Sequence, residues 1–163
     1  MRKLGIIGGA SWNSTALYYD HINRGVARRL GGLHSARLVI ESFDFEDDYA
    51  CFHRREDWQG AARAVVGAAE RLAGAGAEGL LLASNTMHKA ADAVAAAVPL
   101  PIVDVRKVTA ARLAADGRKR IALLGTRFTM TEQFARQPYE EAGLAIHDIA
   151  PQWRAEVDRI IYE

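Results

Sequence analysis

The sequence has a single cysteine, Cys51, among its 163 residues. One cysteine excludes an internal disulfide and a zinc site built from several thiolates, and it is typical of proteins in a reducing compartment. No apolar run approaches the roughly 18 residues that are needed to cross a bilayer, and the N-terminus has no signal-peptide cleavage pattern. We therefore expect a cytoplasmic protein with no membrane partner.

An excess of charge of one sign is also lacking, since 21 basic residues are balanced by 20 acidic ones and the net charge is +1. Two short basic clusters, 28–29 and 118–120, are typical of solvated helix ends and strand starts rather than of a nucleic-acid footprint. Half of the residues are apolar, which is enough for one well-buried domain or two small ones. The composition predicts an ordinary folded protein with no nucleic-acid partner.

Short apolar runs alternate with longer amphipathic stretches along the chain. The strand candidates are 3–7, 37–43, 80–83, 102–105, 120–124 and 144–149. The helix candidates are a first one ending at Leu30, then 59–73, 87–98, 107–115, 131–142 and one that begins at Pro151. Pro138 must kink or split the fifth of these helices. The alternation predicts an α/β fold in which helices flank a parallel sheet.

Polar residues follow the central strand candidate at Ser84, Asn85 and Thr86. In a parallel sheet the carboxyl end of a strand is where ligands bind, because free backbone N–H groups and the positive end of the next helix point into the crevice. Ser84 or Asn85 could also cap that helix. Polar or glycine residues end other strands at 8–9, 44, 104–106 and 126–127, which implies one crevice at a common sheet edge.

Two further segments have open interpretations. Gly8–Gly9 lets the backbone approach an anion closely but lacks the third glycine of a dinucleotide fingerprint, so a tight strand-to-helix turn is the commoner explanation. The segment 44–58 is polar and is expected to be irregular, and a loop of that length is usually functional or covers a site. Within it His53, Arg54 or Arg55 could bind a carboxylate, or could simply be exposed loop residues.

Seven segments, in order over nearly the whole chain, resemble the aspartate/glutamate racemase family, and most closely its broad-specificity amino-acid racemase branch. They are 5–15, 18–19, 22–23, 29–36, 75–79, 84–89 and 122–127. The resemblance implies a cofactor-independent isomerase, a homodimer when complete, that holds an amino acid or small carboxylic acid between two similar α/β lobes. Residues 1–100 would form the first lobe and 101–163 the start of a second, incomplete lobe, since the last helix has no stop signal.

The resemblance also implies that one cysteine thiolate removes the Cα proton and a second cysteine returns it from the opposite face. A thiol suits this role because its unperturbed pKa is about 8.5. The residue before Asn85–Thr86 is the first cysteine in the family and is Ser84 here, while the second would sit in a Gly-Cys-Thr segment beyond Glu163. Cys51 occupies neither position, so we expect no racemisation by the 163-residue chain alone.

Three roles for Ser84 therefore stay open. It could be a weaker first-site group that works with a downstream cysteine, a donor to a developing enolate in a decarboxylating relative, or only a helix cap in a non-catalytic relative that binds a small carboxylic acid. His88, one turn further on, could take the serine proton, or could hydrogen-bond locally. The expected substrate-binding residues are Gly9, Ala10, Ser11, His53, Asn85 and Thr86, and no metal or cofactor is expected.

Overall fold

The computed structural model describes residues 1–162, apart from the side chain of His53. The chain forms two compact units, Met1–Val103 and Asp104–Glu163. No helix in the described part of the chain is long and apolar enough to cross a membrane.

The first unit is built on a four-stranded parallel sheet. Its strands are β1 (Leu4–Gly8), β2 (Leu38–Ser42), β3 (Gly79–Leu82) and β4 (Ile102–Val103), in the spatial order β2-β1-β3-β4. Its α-helices are α1 (Trp12–Leu30), α2 (Cys51–Arg55), α3 (Trp58–Gly74) and α4 (Ala91–Ala97). The predicted parallel α/β fold is confirmed. Since β4 pairs with β3, the sequence-based boundary after residue 100 falls just before a strand of the first sheet.

The core of this unit lies between the sheet and helices α3 and α4. Ile7, Leu80 and Leu82 point from the strands into the same cluster as Val65 of α3, and all four are fully buried. Helix α3 presents one apolar face because its apolar residues recur at spacings of three and four, and Asp57 caps its start by accepting the N–H of Gly60 at 2.8 Å. This packing fixes where β1 and β3 end.

The segment after β2 is helical, so the prediction of an irregular loop over 44–58 is wrong. Phe45–Ala50 forms a π-helix that runs directly into α2. The carboxylate of Asp44 starts it by accepting the N–H groups of Glu46 and Asp47 at 2.9 and 3.2 Å. Tyr49 is 1% exposed and stacks on Phe43, with ring centroids 6.1 Å apart. Sequence periodicity missed this segment because a π-helix does not repeat every 3.6 residues.

The second unit has two short parallel strands, β5 (Arg120–Ile121) and β6 (Ala145–Ile146). Its helices are α5 (Val105–Ala115), α6 (Arg127–Thr131), α7 (Gln133–Glu141) and α8 (Pro151–Tyr162). Thr126–Arg127 follows β5 and so belongs to the second sheet, not to the edge of the first. The single common sheet edge predicted for all the polar junctions is therefore wrong.

Pro138 lies inside α7, and the predicted helix 131–142 is interrupted at Glu132 instead. A proline cannot donate a hydrogen bond to the carbonyl four residues earlier, which here is Phe134. The guanidinium of Arg106 supplies the missing donor, because its Nη1 lies 2.6 Å from the Phe134 carbonyl oxygen. The helix therefore tolerates its internal proline.

Candidate functional site

Three strand-to-helix junctions of the first sheet lie side by side at its carboxyl edge. In register, Ile7 of β1 is opposite Leu82 of β3, and the N–H of Ala83 donates to the Ile7 carbonyl at 2.8 Å. On the other side the N–H of Phe43 donates to the Gly8 carbonyl at 3.2 Å. Neighbouring strands are about 4.8 Å apart. The Gly8–Gly9 turn is thus flanked directly by the junctions that carry Ser84 and Asp44.

Both glycines of the turn are required by their surroundings. Gly9 has φ +86°, a conformation that side chains rarely adopt, and a Cβ there would collide with the backbone of Phe43. A Cβ on Gly8 would lie 2.5 Å from Oγ1 of Thr15. The close approach of these chains supports the tight-turn interpretation of the two glycines.

The turn leads into α1, whose first amide groups face the junction. Ser11 caps the helix by accepting the N–H of Ser14 at 3.3 Å. The N–H of Gly9 donates to Oγ1 of Thr15 at 3.0 Å in a buried bond. The Gly9 amide is therefore engaged within the chain, and its expected part in substrate binding stays a prediction. Among the described residues, no acceptor in the chain bonds to the N–H groups of Ala10 and Ser11.

The junction after β3 begins with half-buried Ser84 and exposed Asn85 and continues into buried Thr86. A 3-10 helix spans Thr86–Ala90 before α4, where a single α-helix over 87–98 was expected. The Asn85 side chain makes no capping hydrogen bond, and within the described chain the Ser84 hydroxyl makes none either. The capping predicted for Ser84 or Asn85 is thus absent, and the Ser84 hydroxyl remains available to a ligand.

His88 is 3% exposed and lies against the backbone of the same junction. Its Nδ1 is 2.8 Å from the Ser84 carbonyl oxygen. Because a carbonyl only accepts, Nδ1 carries a proton and donates it there. This is the local hydrogen bond that was the alternative to a base role, and it directs Nδ1 to the backbone of Ser84 rather than to its hydroxyl.

His53, Arg54 and Arg55 belong to the segment that follows β2. The His53 side chain lies outside the described residues, so its expected contact with a carboxylate stays a prediction. Arg54 forms a two-pronged ion pair with Glu46, at 2.7 and 3.0 Å. The hydrogen bonds of this pair lower the pKa of Glu46 and raise that of Arg54. The Arg54 guanidinium is therefore committed to a neighbouring carboxylate of its own segment.

The second unit has its own polar junctions. Asp104 caps α5 and also forms an ion pair with Arg106 at 2.6 Å, and both side chains are largely buried. Asp158 of α8 accepts the N–H of Arg127 at 2.6 Å. Both carboxylates are thus bound within the unit. In the described part of the chain, no three His, Cys, Asp or Glu side chains are grouped so that they could hold a metal ion.

The sequence model of the family described as Asp/Glu/Hydantoin racemase matches residues 7–161. The chain belongs to this family. The aspartate/glutamate racemase resemblance is thereby confirmed, and these matches do not favour the alternative of a decarboxylating or non-catalytic relative.

Solved structures agree with this assignment. A Yersinia pestis protein, described as a candidate Asp/Glu racemase, is 42% identical with a TM-score of 0.89, and the match covers 99% of this chain and 70% of that one. An aspartate racemase homologue from Pyrococcus horikoshii is 34% identical with a TM-score of 0.80, over 100% of this chain and 71% of that one. The aspartate racemase of Picrophilus torridus, at 17% identity and a TM-score of 0.78 over 96% and 66%, shares the fold.

Proposed function

We propose that this protein is a cofactor-independent amino-acid racemase of the aspartate/glutamate type. The observation that carries the proposal is the adjacency of two junctions on paired strands. One carries the N–H groups of Ala10 and Ser11, and the other carries the Ser84 hydroxyl and the side chains of Asn85 and Thr86, which we assign to substrate binding. Removal of a Cα proton places negative charge on the substrate carboxylate, and such donors stabilise that charge as it develops.

In this proposal Ser84 stands at the position of the family's first cysteine and acts on one face of Cα. A base takes the Cα proton, the electron pair passes into the carboxylate to give an enolate, and a proton then returns to Cα. A hydroxyl is a much weaker acid than a thiol, so it is hardly ever ionised near neutral pH. Ser84 therefore cannot take the Cα proton efficiently unless another group activates it. A second group must act on the opposite face for the configuration to invert.

The proposal assigns no such second group among the 163 residues. Since inversion needs both groups, we expect this chain on its own to bind the substrate without net conversion. It also includes a small-molecule amino-acid substrate, a cytoplasmic location and a homodimeric assembly. The lone cysteine supports the location, since it suits a reducing compartment.

Calorimetric titration with L-aspartate, L-glutamate and succinate tests the binding step. We expect saturable binding of at least one acidic ligand. Folded protein that binds none of the three would remove the proposed site.

Deuterium incorporation at Cα of L-glutamate in heavy water tests the chemistry. Ser84→Cys should raise incorporation with retained configuration, because a thiolate at this junction can both remove the proton and return a deuteron to the same face. Ser84→Ala is the matched control and should show none. If Ser84→Ala equals the wild type and Ser84→Cys changes nothing, Ser84 takes no part in proton transfer. Formation of D-glutamate by the wild-type chain would contradict the one-sided assignment.

A further inference from the structure

Thr15 is a buried polar residue to which the proposed function gives no role. Its side chain is 7% exposed and lies in the first turns of α1. Its Oγ1 accepts the N–H of Gly9 at 3.0 Å and donates to the carbonyl of Ser11 at 3.1 Å. A hydroxyl has one hydrogen to donate, so the direction of both bonds is fixed. One side chain thus holds both ends of the three-residue segment 9–11.

We propose that Thr15 is a positioning residue, which holds the Gly9 N–H inward and thereby turns the N–H groups of Ala10 and Ser11 toward the ligand carboxylate. The inference rests on the proposed function, because that function assigns the carboxylate to these two groups. Peptide groups are planar. Fixing the Gly9 nitrogen and the Ser11 oxygen, at the two ends of the segment, therefore restricts how far the two intervening N–H groups can rotate away.

The packing of Thr15 allows its shape and its hydrogen bonds to be separated. A Cβ on Gly8 would lie 2.5 Å from Oγ1 and 2.6 Å from Cγ2 of Thr15, so this side chain fills the space over the turn. Valine has nearly the same shape and lacks both hydrogen bonds, and it leaves the buried Gly9 N–H without its acceptor. Serine keeps the hydroxyl and loses only the methyl group.

The experiment compares the wild-type chain with Thr15→Val and Thr15→Ser. Thr131→Val is the matched control, because the exposed Thr131 hydroxyl donates to the Arg127 carbonyl four residues earlier at 2.8 Å, in the same local pattern. The first measurement is calorimetric affinity for L-aspartate, L-glutamate and succinate. The second is the position of the Ala10 and Ser11 amide signals in ¹H–¹⁵N NMR spectra.

We expect Thr15→Val to weaken binding about tenfold, the effect of one misdirected hydrogen bond, and to move the Ala10 and Ser11 signals. Thr15→Ser should stay within about threefold of the wild type, since it keeps the hydrogen bonds. Thr131→Val should not change affinity. A residue that only supports the fold would lower the melting temperature and leave the affinity of the folded protein unchanged.

Wild-type affinity in folded Thr15→Val would overturn the role of Thr15 while the proposed function stands. If the wild type itself binds none of the three ligands, the proposed function fails. The positioning role of Thr15 is then judged from the amide signals alone. Unshifted Ala10 and Ser11 signals in Thr15→Val then also reject the positioning role. Should Thr15→Val not fold, Thr15→Ala, which removes the hydroxyl and leaves free space, is judged by the same criteria.

Discussion

The Arg106 side chain should be the most costly single polar group to remove from the second unit. The guanidinium is 10% exposed and forms a two-pronged ion pair with Asp104, which is 12% exposed. It also donates to the Phe134 carbonyl at 2.6 Å. Arg106→Met keeps a side chain of similar length but removes the ion-pair partner of the largely buried Asp104 carboxylate and the donor to the Phe134 carbonyl. Removal of one partner of a buried ion pair costs about 3–5 kcal/mol, so we expect a loss of that size in the free energy of unfolding.

Pro138→Ala separates the two parts of this loss. Alanine at 138 supplies the N–H that Phe134 lacks as a helical acceptor, so the carbonyl no longer depends on Arg106. We expect Arg106→Met to cost about 1–2 kcal/mol less in the Pro138→Ala background, which is the value of one partly buried hydrogen bond from a charged donor. The four proteins of this double-mutant cycle are compared by urea unfolding, followed by circular dichroism.

Arg112→Met is the control on the same helix. Its partner is Asp116, at 3.0 Å, and the two side chains are 78% and 45% exposed. The loss there should stay within about 0.5 kcal/mol, as is usual for surface pairs. Additivity of Arg106→Met and Pro138→Ala to within about 0.5 kcal/mol would refute the claim that Arg106 replaces the missing donor.

Three further perturbations test other parts of the structure. Val65→Ala should lower the free energy of unfolding by about 2 kcal/mol in urea titrations, because Val65 is fully buried in the core under the first sheet. Gly9→Ala should lower the free energy of unfolding by at least about 2 kcal/mol or prevent folding, since Gly9 has a positive φ and an added Cβ would collide with the backbone of Phe43. Gly25→Ala is the control, because Gly25 lies in α1 with open space around it, and thermal unfolding should show a stabilisation of about 0.5–1 kcal/mol. The hydrogen bond from Arg136 lowers the pKa of Asp148 in the folded protein. The ionised carboxylate therefore stabilises the fold above the unfolded pKa of about 3.9, and this stabilisation is lost as the pH falls through the lower folded pKa. Asp148→Asn should accordingly reduce the loss of stability on acidification, measured by urea unfolding at a series of pH values.

The sheet and the core helix of the first unit could be predicted because their sequence periods are clear. Leu80 and Leu82 lie in a continuous apolar run, and the buried Val65, Ala69 and Leu72 recur on one face of α3. In helix α1 the apolar residues Tyr19, Ile22, Val26 and Leu30 also recur at spacings of three and four, yet Tyr19 and Leu30 are 52% and 55% exposed. An apolar period predicts a face, but only tertiary packing decides whether that face is covered.

The sequence predicted which strand ends adjoin one another, but not the hydrogen bonds that form at those ends. Strand ends identify the edge at which Ser84 and the glycine turn meet, because parallel strands share direction. Which amides are free depends on where side chains point, and nothing in the local pattern showed that Thr15 takes the Gly9 N–H. One signal was present: a threonine four residues after Ser11 can donate back to that carbonyl when both lie in the first turns of a helix.

Thr15 and His88 restrain two neighbouring strand-to-helix junctions in the same way. The Thr15 hydroxyl donates to the Ser11 carbonyl, and Nδ1 of His88 lies 2.8 Å from the Ser84 carbonyl oxygen. In both cases the carbonyl belongs to the residue four positions earlier in the sequence. Thr15 and His88 are buried, at 7% and 3% exposure, so water competes little for the atoms in these two bonds. The junctions are therefore ordered before any ligand arrives. Because the ordering of loops and side chains normally opposes binding, a site held in this way can direct more of its interaction energy to the charge that develops during proton transfer.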